Sequence, residues 1–160
     1  MRPAPDAKDF RRELSGLLPR LRRFALTLTR DAGEADALVQ EVCSRAIGQG
    51  SSWDGRGRLD GWIYTLTRSV HAEEPRAWRE NRAASPAGAD AQGQASEVQA
   101  LILAMPEGYA STFLLVAVED YSYAEAAAVL DIPPETVAKH VSAARLRLAA
   151  MTAASTMRRA

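Results

Sequence analysis

Apolar residues recur along this chain at intervals of three and four positions, which is the spacing of one face of an α-helix. In the first half of the chain the spacing predicts three helices, over Phe10–Thr29, Ala35–Ile47 and Leu59–Val70. Pro19 predicts a break or a helix start inside the first helix. A turn is expected at residues 31–33, and a Gly/Ser loop over residues 48–58. Gly48 and Pro75 mark the expected ends of the second and third helices.

The second half of the chain follows a low-complexity segment, residues 82–96, that has almost no bulky apolar side chain. This composition predicts a flexible linker. Beyond it, helical spacing returns at Val98, Leu101, Ile102 and Met105, and Pro106 predicts the start of another helix. The chain is therefore expected to be all-α, with two small helical modules. Their expected bounds are 9–81 and 97–152.

Residues 121–141 carry the pattern of two helices joined by a tight turn. Asp131 tolerates the left-handed backbone that such a turn needs, and Pro134 suits the first position of a helix. Ala127 is small enough for the second helix to cross closely. The pattern predicts a helix-turn-helix, the usual device for placing a helix in the DNA major groove, although a plain corner between two helices fits it equally well. The second helix is expected to bury one seam: Val137, Val141, Ala144 and Leu148.

Overall charge gives no support for nucleic-acid binding, because twenty basic residues balance twenty acidic ones among the 160. The distribution of charge along the chain is more informative. From residue 97 onward, the seven acidic residues end at Glu135 and the five basic residues begin at Lys139. The sign of the charge therefore changes inside the second helix of the predicted helix-turn-helix, which is its recognition helix.

The remaining chemistry of the chain excludes several functions. Cys43 is the only cysteine, so no intrachain disulfide is possible, and a plain buried thiol is expected. His71 and His140 lack ligand-spaced partners, so neither a metal site nor a cofactor is expected. The sequence shows neither a nucleophile–base set nor a phosphate-binding loop, so an enzyme is not expected. The absence of a long apolar run or a signal peptide predicts a cytoplasmic protein without membrane insertion.

Four segments of the chain, in order, resemble a bacterial extracytoplasmic-function (ECF) sigma factor of the general-stress-response group. Residues 18–30 look like its opening helix, residues 35–46 its polymerase-binding helix and residues 59–68 the helix that follows. Residues 104–148 are similar to its fourth region. The resemblance implies a region 2-like bundle and a region 4-like helix-turn-helix domain. It also implies three partners, which are core RNA polymerase, promoter DNA and an anti-sigma factor.

The resemblance assigns polymerase binding to the second helix, at Asp36, Leu38, Gln40, Glu41 and Arg45. A helix face that is merely solvated would show the same amphipathic pattern. In the first module it assigns DNA binding to Arg68, Ser69, Arg76, Trp78 and Arg79, although Trp78 fits core packing equally well. In the second module the assigned DNA-binding residues are Glu135, Thr136, Lys139, His140, Arg145 and Arg147.

Both DNA-binding segments depart from the family pattern. Similar family members carry cations at positions 138, 140 and 143, where this chain has Ala138, His140 and Ala143. Each lost phosphate contact weakens DNA binding, so low intrinsic affinity is expected.

The sequence therefore predicts an alternative sigma factor that directs RNA polymerase to stress-type promoters. One alternative is a sigma-like mimic that titrates an anti-sigma factor or polymerase without reading promoters. The helix-turn-helix output module of a two-component regulator is a third reading, but the first module lacks the strand–helix alternation of a receiver.

Overall fold

The computed structural model describes residues 6–48, 53, 57–73, 97–106 and 108–159. The chain divides into two compact units, residues 1–94 and 95–160. Within the described residues the secondary structure is entirely helical, which confirms the predicted all-α class. The helices are α1 (Ala7–Thr29), α2 (Ala32–Gly48), α3 (Leu59–Glu73), α4 (Glu97–Ala104), α5 (Tyr109–Phe113), α6 (Tyr123–Leu130) and α7 (Pro134–Arg159).

The first unit is a three-helix bundle in which α1, α2 and α3 all pack against one another. Each helix supplies one apolar face to a common core, as its spacing predicts. The rings of Phe24 and Tyr64 meet at the centre, with their centroids 4.6 Å apart. The other large side chains that are almost fully buried include Leu21, Leu38, Val42, Ile63 and Val70.

Helix α1 runs without interruption through Pro19, so the predicted break or helix start is wrong. Proline lacks a backbone N–H and therefore leaves one carbonyl of the preceding turn without its helical partner. Pro19 is exposed, so that carbonyl stays accessible to water. Burial of Leu14 before the proline and of Leu21 after it stabilises the helix on both sides.

The junction between α1 and α2 is shorter than the predicted turn. Arg30 ends α1 in the left-handed conformation, with φ of 63°, and its N–H donates to the Leu26 carbonyl at 2.9 Å. The Asp31 carboxylate accepts from the backbone N–H of Glu34 at 2.9 Å, an N-terminal cap for α2. Ala32 and Gly33, which were expected in the turn, are already part of α2.

In the second unit, α5 and α6 pack on α7. Gly108 precedes α5 with φ of 87°, a backbone conformation that favours glycine. Helix α5 continues as one π-helical turn over Leu114–Val118, in which the Glu119 N–H donates to the Leu114 carbonyl at 3.0 Å. The extra residue of this turn shifts the register of the side chains that follow it.

The helix-turn-helix is formed by α6 and α7. At the start of α6, Ser122 and Glu125 form a reciprocal capping box with bonds of 3.1 and 2.8 Å. The turn passes through Asp131, whose φ of 53° and ψ of 48° confirm the predicted left-handed conformation. Helix α7 starts at Pro134, as predicted. Its predicted seam is buried at Val137, Val141 and Ala144 and half-buried at Leu148.

The expected module bounds, 9–81 and 97–152, stay a prediction. The predicted linker, residues 82–96, and Pro75 lie outside the described residues. Among the helices that the structure does describe, none is long and apolar enough to cross a membrane.

Candidate functional site

Helix α2 presents one polar face to solvent in the first unit. Its buried face, made by Ala35, Leu38, Val42 and Ala46, fixes the rotation of the helix, so that Gln40 and Ser44 lie on the opposite, exposed side. We call the face formed by Asp36, Gln40, Glu41, Ser44 and Arg45 the α2 face. Leu38, a predicted polymerase-binding residue, is only 1% exposed, so its side chain supports this face from inside the bundle.

Charged residues of the α2 face are paired with neighbouring helices. The Arg22 guanidinium of α1 donates from Nε to the Asp36 carboxylate at 2.6 Å. Arg45 donates to Glu41 within α2 at 2.9 Å and to Glu73 at the end of α3 at 2.6 Å. The hydrogen bonds to Glu73 and then Glu41 raise the pKa of Arg45 above its ordinary value, so this guanidinium stays charged.

An apolar cleft of about 420 Å³ lies between α1 and α2. Leu14, Leu18, Cys43 and Ile47 line it together with Arg11 and Ser15. Ile47 is 45% exposed and Leu18 is 38% exposed. Cys43, predicted to be a plain buried thiol, is half-buried, and burial raises the pKa of this thiol.

The predicted DNA-binding residues of the first unit fall into two groups. On α3, Arg68 is half-buried and Ser69 is exposed, with the Ser69 hydroxyl donating to the Thr65 carbonyl at 3.2 Å. The predictions for Arg76, Trp78 and Arg79 lie outside the described residues.

The first turns of α7 form the candidate DNA-reading surface of the second unit. Glu135 and Lys139 are exposed one helical turn apart on the side opposite the buried seam, and Thr136 is half-buried beside them. Arg145 and Arg147 are exposed further along the helix. In a helix-turn-helix the N-terminal residues of the second helix reach base edges, so Glu135, Thr136 and Lys139 have the appropriate position.

His140 differs from its predicted orientation toward DNA. Its ring lies against Tyr109, with centroids 4.9 Å apart, and its Nδ1 is 3.3 Å from the Thr112 hydroxyl. The reason is its position in the helix: it is three residues after Val137 and four before Ala144, so it borders the buried seam. His140 therefore joins α7 to α5 within the second unit.

Sequence reasoning missed Arg22 and Glu73, which hold the charged residues of the α2 face. Their partners are 14 and 28 positions away along the chain, on other helices. No short-range pattern in the sequence indicates these pairs. Only the packing of α1, α2 and α3 brings them together.

Both units of the chain match known protein families. Residues 14–68 match the family described as the Sigma2 domain of PhyR, and residues 95–148 match the family Sigma-70, region 4. The solved structure of the sigma factor RpoE from Bartonella quintana, in complex with the anti-sigma factor NepR, is 25% identical. It superposes with a TM-score of 0.69 over 88% of this chain and 94% of that chain. CnrH, solved in complex with the cytosolic domain of CnrY, is 21% identical with a TM-score of 0.59 and shares the fold.

Two curated relatives match over most of their length. The ECF RNA polymerase sigma factor EcfG of Rhodopseudomonas palustris (strain TIE-1) is 27% identical over 157 residues, covering 92% of this chain and 87% of that protein. The ECF RNA polymerase sigma factor SigC of Mycobacterium tuberculosis (strain CDC 1551 / Oshkosh) is 31% identical over 134 residues, which cover 77% and 72% of the two proteins.

A helical unit of region 2 type followed by a region 4 helix-turn-helix defines a sigma factor. The chain belongs to the ECF RNA polymerase sigma factors and is an alternative sigma factor, as its sequence predicts. Members of this family regulate transcription.

Proposed function

We propose that the α2 face docks on core RNA polymerase and that the start of α7 reads promoter DNA, so that the protein initiates transcription at stress-type promoters. The observation that carries this proposal is the complete helix-turn-helix. The Asp131 turn and the buried Val137–Ala144 seam leave Glu135 and Lys139 pointing outward. Such a subunit would act in the cytoplasm, where RNA polymerase works.

The exposed side of the recognition helix supports weak DNA binding on its own. Lys139 is the single cation between Pro134 and Ala144, and Glu135 partly offsets it. A carboxylate near DNA lowers affinity unless it accepts from the amino group of a base such as cytosine. Binding to polymerase would compensate by raising the effective concentration of the helix at the promoter.

We also propose that an anti-sigma factor controls this protein. RpoE, which is 25% identical and shares its fold, was solved in complex with the anti-sigma factor NepR. A sigma-like mimic that captures such a partner without reading promoters is the second candidate function. The low charge of the recognition helix favours that candidate.

Run-off transcription with purified core polymerase tests the main proposal. The wild-type protein is expected to give promoter-dependent transcripts from stress-type promoters. If no promoter supports transcription while an anti-sigma factor still binds tightly, the mimic function replaces the one proposed here.

Polymerase pull-down tests the docking surface separately. Reversing two charges, Asp36→Lys with Glu41→Lys, should weaken the pull-down, whereas the fold should survive because surface pairs contribute about 1 kcal/mol or less. The matched control is Asp9→Lys with Glu13→Lys, which reverses two exposed acidic residues near the start of α1. Equal pull-down by wild type, control and the folded α2 variant would refute this docking site.

A further inference from the structure

Two ion pairs tie the edges of the α2 face to the helices on either side. On the α1 side, Arg22 donates to both oxygens of Asp36, at 2.6 and 3.5 Å. On the α3 side, Arg45 donates to Glu73 at 2.6 Å. Both pairs join different helices, so each fixes a side chain of α2 relative to a neighbouring helix backbone.

Between these pairs, the centre of the α2 face consists of uncharged polar residues. Gln40 and Ser44 are exposed, four residues apart, and therefore adjacent on the helix. Among the residues that the structure describes, the side-chain amide of Gln40 has no hydrogen-bond partner, and only its backbone is bonded within α2. Its amide can therefore donate to and accept from a partner without first breaking a contact.

The two ion pairs are too exposed to contribute much to the free energy of folding. The side chains of Arg22 and Asp36 are 40% and 31% exposed, and those of Arg45 and Glu73 are 38% and 60% exposed. Ion pairs with this exposure contribute little to folding, because water and salt screen them. Their clearest physical effect is to restrict the rotamers of four long or charged side chains around Gln40.

We propose that Arg22 and Glu73 are positioning residues of the polymerase-docking surface, an inference that rests on the proposed function of the α2 face. Arg22 holds the Asp36 carboxylate, and Glu73 holds the Arg45 guanidinium, before the partner arrives. Ordering these side chains in advance lowers the entropy lost on docking. Removing either positioning residue is expected to weaken polymerase binding roughly 2- to 10-fold.

Equilibrium binding of the full-length protein to core polymerase tests this inference. Arg22→Ala and Glu73→Ala should each raise the Kd and leave the urea unfolding midpoint nearly unchanged. Arg12→Ala is the matched control, because Arg12 also pairs with a carboxylate, Asp9 at 3.7 Å, but within α1. Arg12→Ala should bind like the wild type.

A double-mutant cycle separates positioning from direct contact. If Arg22 acts through Asp36, the double variant of Arg22→Ala and Asp36→Asn binds no more weakly than the weaker single variant. Additive losses would show that Arg22 contacts polymerase by itself and would overturn the positioning role. The same cycle with Arg45→Gln applies to Glu73.

The failure of this inference can be distinguished from failure of the proposed function. If wild type binds core polymerase and Arg22→Ala and Glu73→Ala bind equally well, the positioning role is refuted and the docking function stands. If wild type itself does not bind core polymerase, the docking function is refuted and the positioning role with it.

Discussion

The Asp60 carboxylate accepts a 2.6 Å hydrogen bond from Arg20, a residue 40 positions earlier in the chain. Arg58 donates to both oxygens of the same carboxylate, at 3.0 and 2.8 Å, and the Gly61 N–H donates to Oδ1 at 2.8 Å. The Asp60 side chain is only 7% exposed. Two guanidinium groups and one amide therefore compensate the burial of a single charge, and they join the start of α3 to the middle of α1.

Substitution of Asp60 should destabilise the first unit. We expect Asp60→Asn to lower the free energy of unfolding by about 2 kcal/mol, since it weakens several charge-assisted bonds in a buried position. Urea unfolding followed by circular dichroism measures this loss. Asp9→Asn, an exposed carboxylate on α1, is the control and should change stability little. Equal stability of the two variants would contradict the role of Asp60.

Pro19→Ala should stabilise the protein. Alanine restores the N–H that the Ser15 carbonyl lacks as a helical partner, and proline inside a helix is less favourable than alanine by up to about 3 kcal/mol. Thermal unfolding would show a higher midpoint. A lower midpoint would mean that the restriction that proline places on the unfolded chain outweighs its cost in α1.

His140 and Lys139 should have separable roles although they are adjacent. His140→Ala removes the contacts with Tyr109 and Thr112, so it should destabilise the second unit by about 1 kcal/mol. Lys139→Ala removes an exposed cation and should weaken DNA binding with little change in stability. Unfolding and DNA-binding titrations of both variants, made side by side, test this division. The reverse pattern would return His140 to the DNA-reading surface.

Added positive charge on the recognition helix should strengthen DNA binding. With Ala138→Lys and Ala143→Arg together, affinity should rise and the salt dependence should steepen by up to roughly one unit of log–log slope per new phosphate contact. Fluorescence anisotropy over a salt series measures both. Ala149→Arg is the control, since Ala149 is exposed on the same helix beyond the buried seam. An equal gain from the control would indicate a nonspecific charge effect.

The Cys43 thiol should react slowly in the folded protein. Burial raises its pKa, and only the thiolate is nucleophilic, so a disulfide reagent at pH 8 should modify it more slowly than it modifies a free cysteine. Urea should remove the difference. As the pH rises above the ordinary thiol pKa, Cys43 ionises in the unfolded chain before it ionises in the folded protein. Its ionisation therefore lowers the free energy of unfolding as the pH rises. Fast modification without urea would contradict the burial.

Local spacing predicted most of the helices because each buries one continuous face. Helix α2 illustrates this, since Ala35, Leu38, Val42 and Ala46 of its apolar spacing are buried in the bundle. Ile47, at the end of the same spacing, is 45% exposed. The predicted break at Pro19 is wrong because core contacts on both sides of the proline outweigh the cost of the helical hydrogen bond that it removes. The turn at residues 31–33 was misplaced because the Asp31 cap starts the helix earlier than the apolar spacing does.

Prediction of the site was less complete than prediction of the fold. Lys139 and Glu135 are exposed as expected, because they lie opposite an apolar seam. His140 borders that seam, and a histidine at such an edge can turn either way. Arg22 and Glu73 could not be assigned from the sequence, because their significance depends on which side chains face them across two helix interfaces.

Helix α7 is continuous over 26 residues, about 39 Å, yet its burial ends near Leu148. Residues 152–159 are all exposed, so their helical state depends on local propensity, whereas the segment from Val137 to Ala144 opens only when the second unit unfolds. Backbone amide protons should therefore exchange with solvent at very different rates along one unbroken helix. The amides of the buried seam report the global stability of the unit, and those of the last two turns report the fraying of an isolated helix.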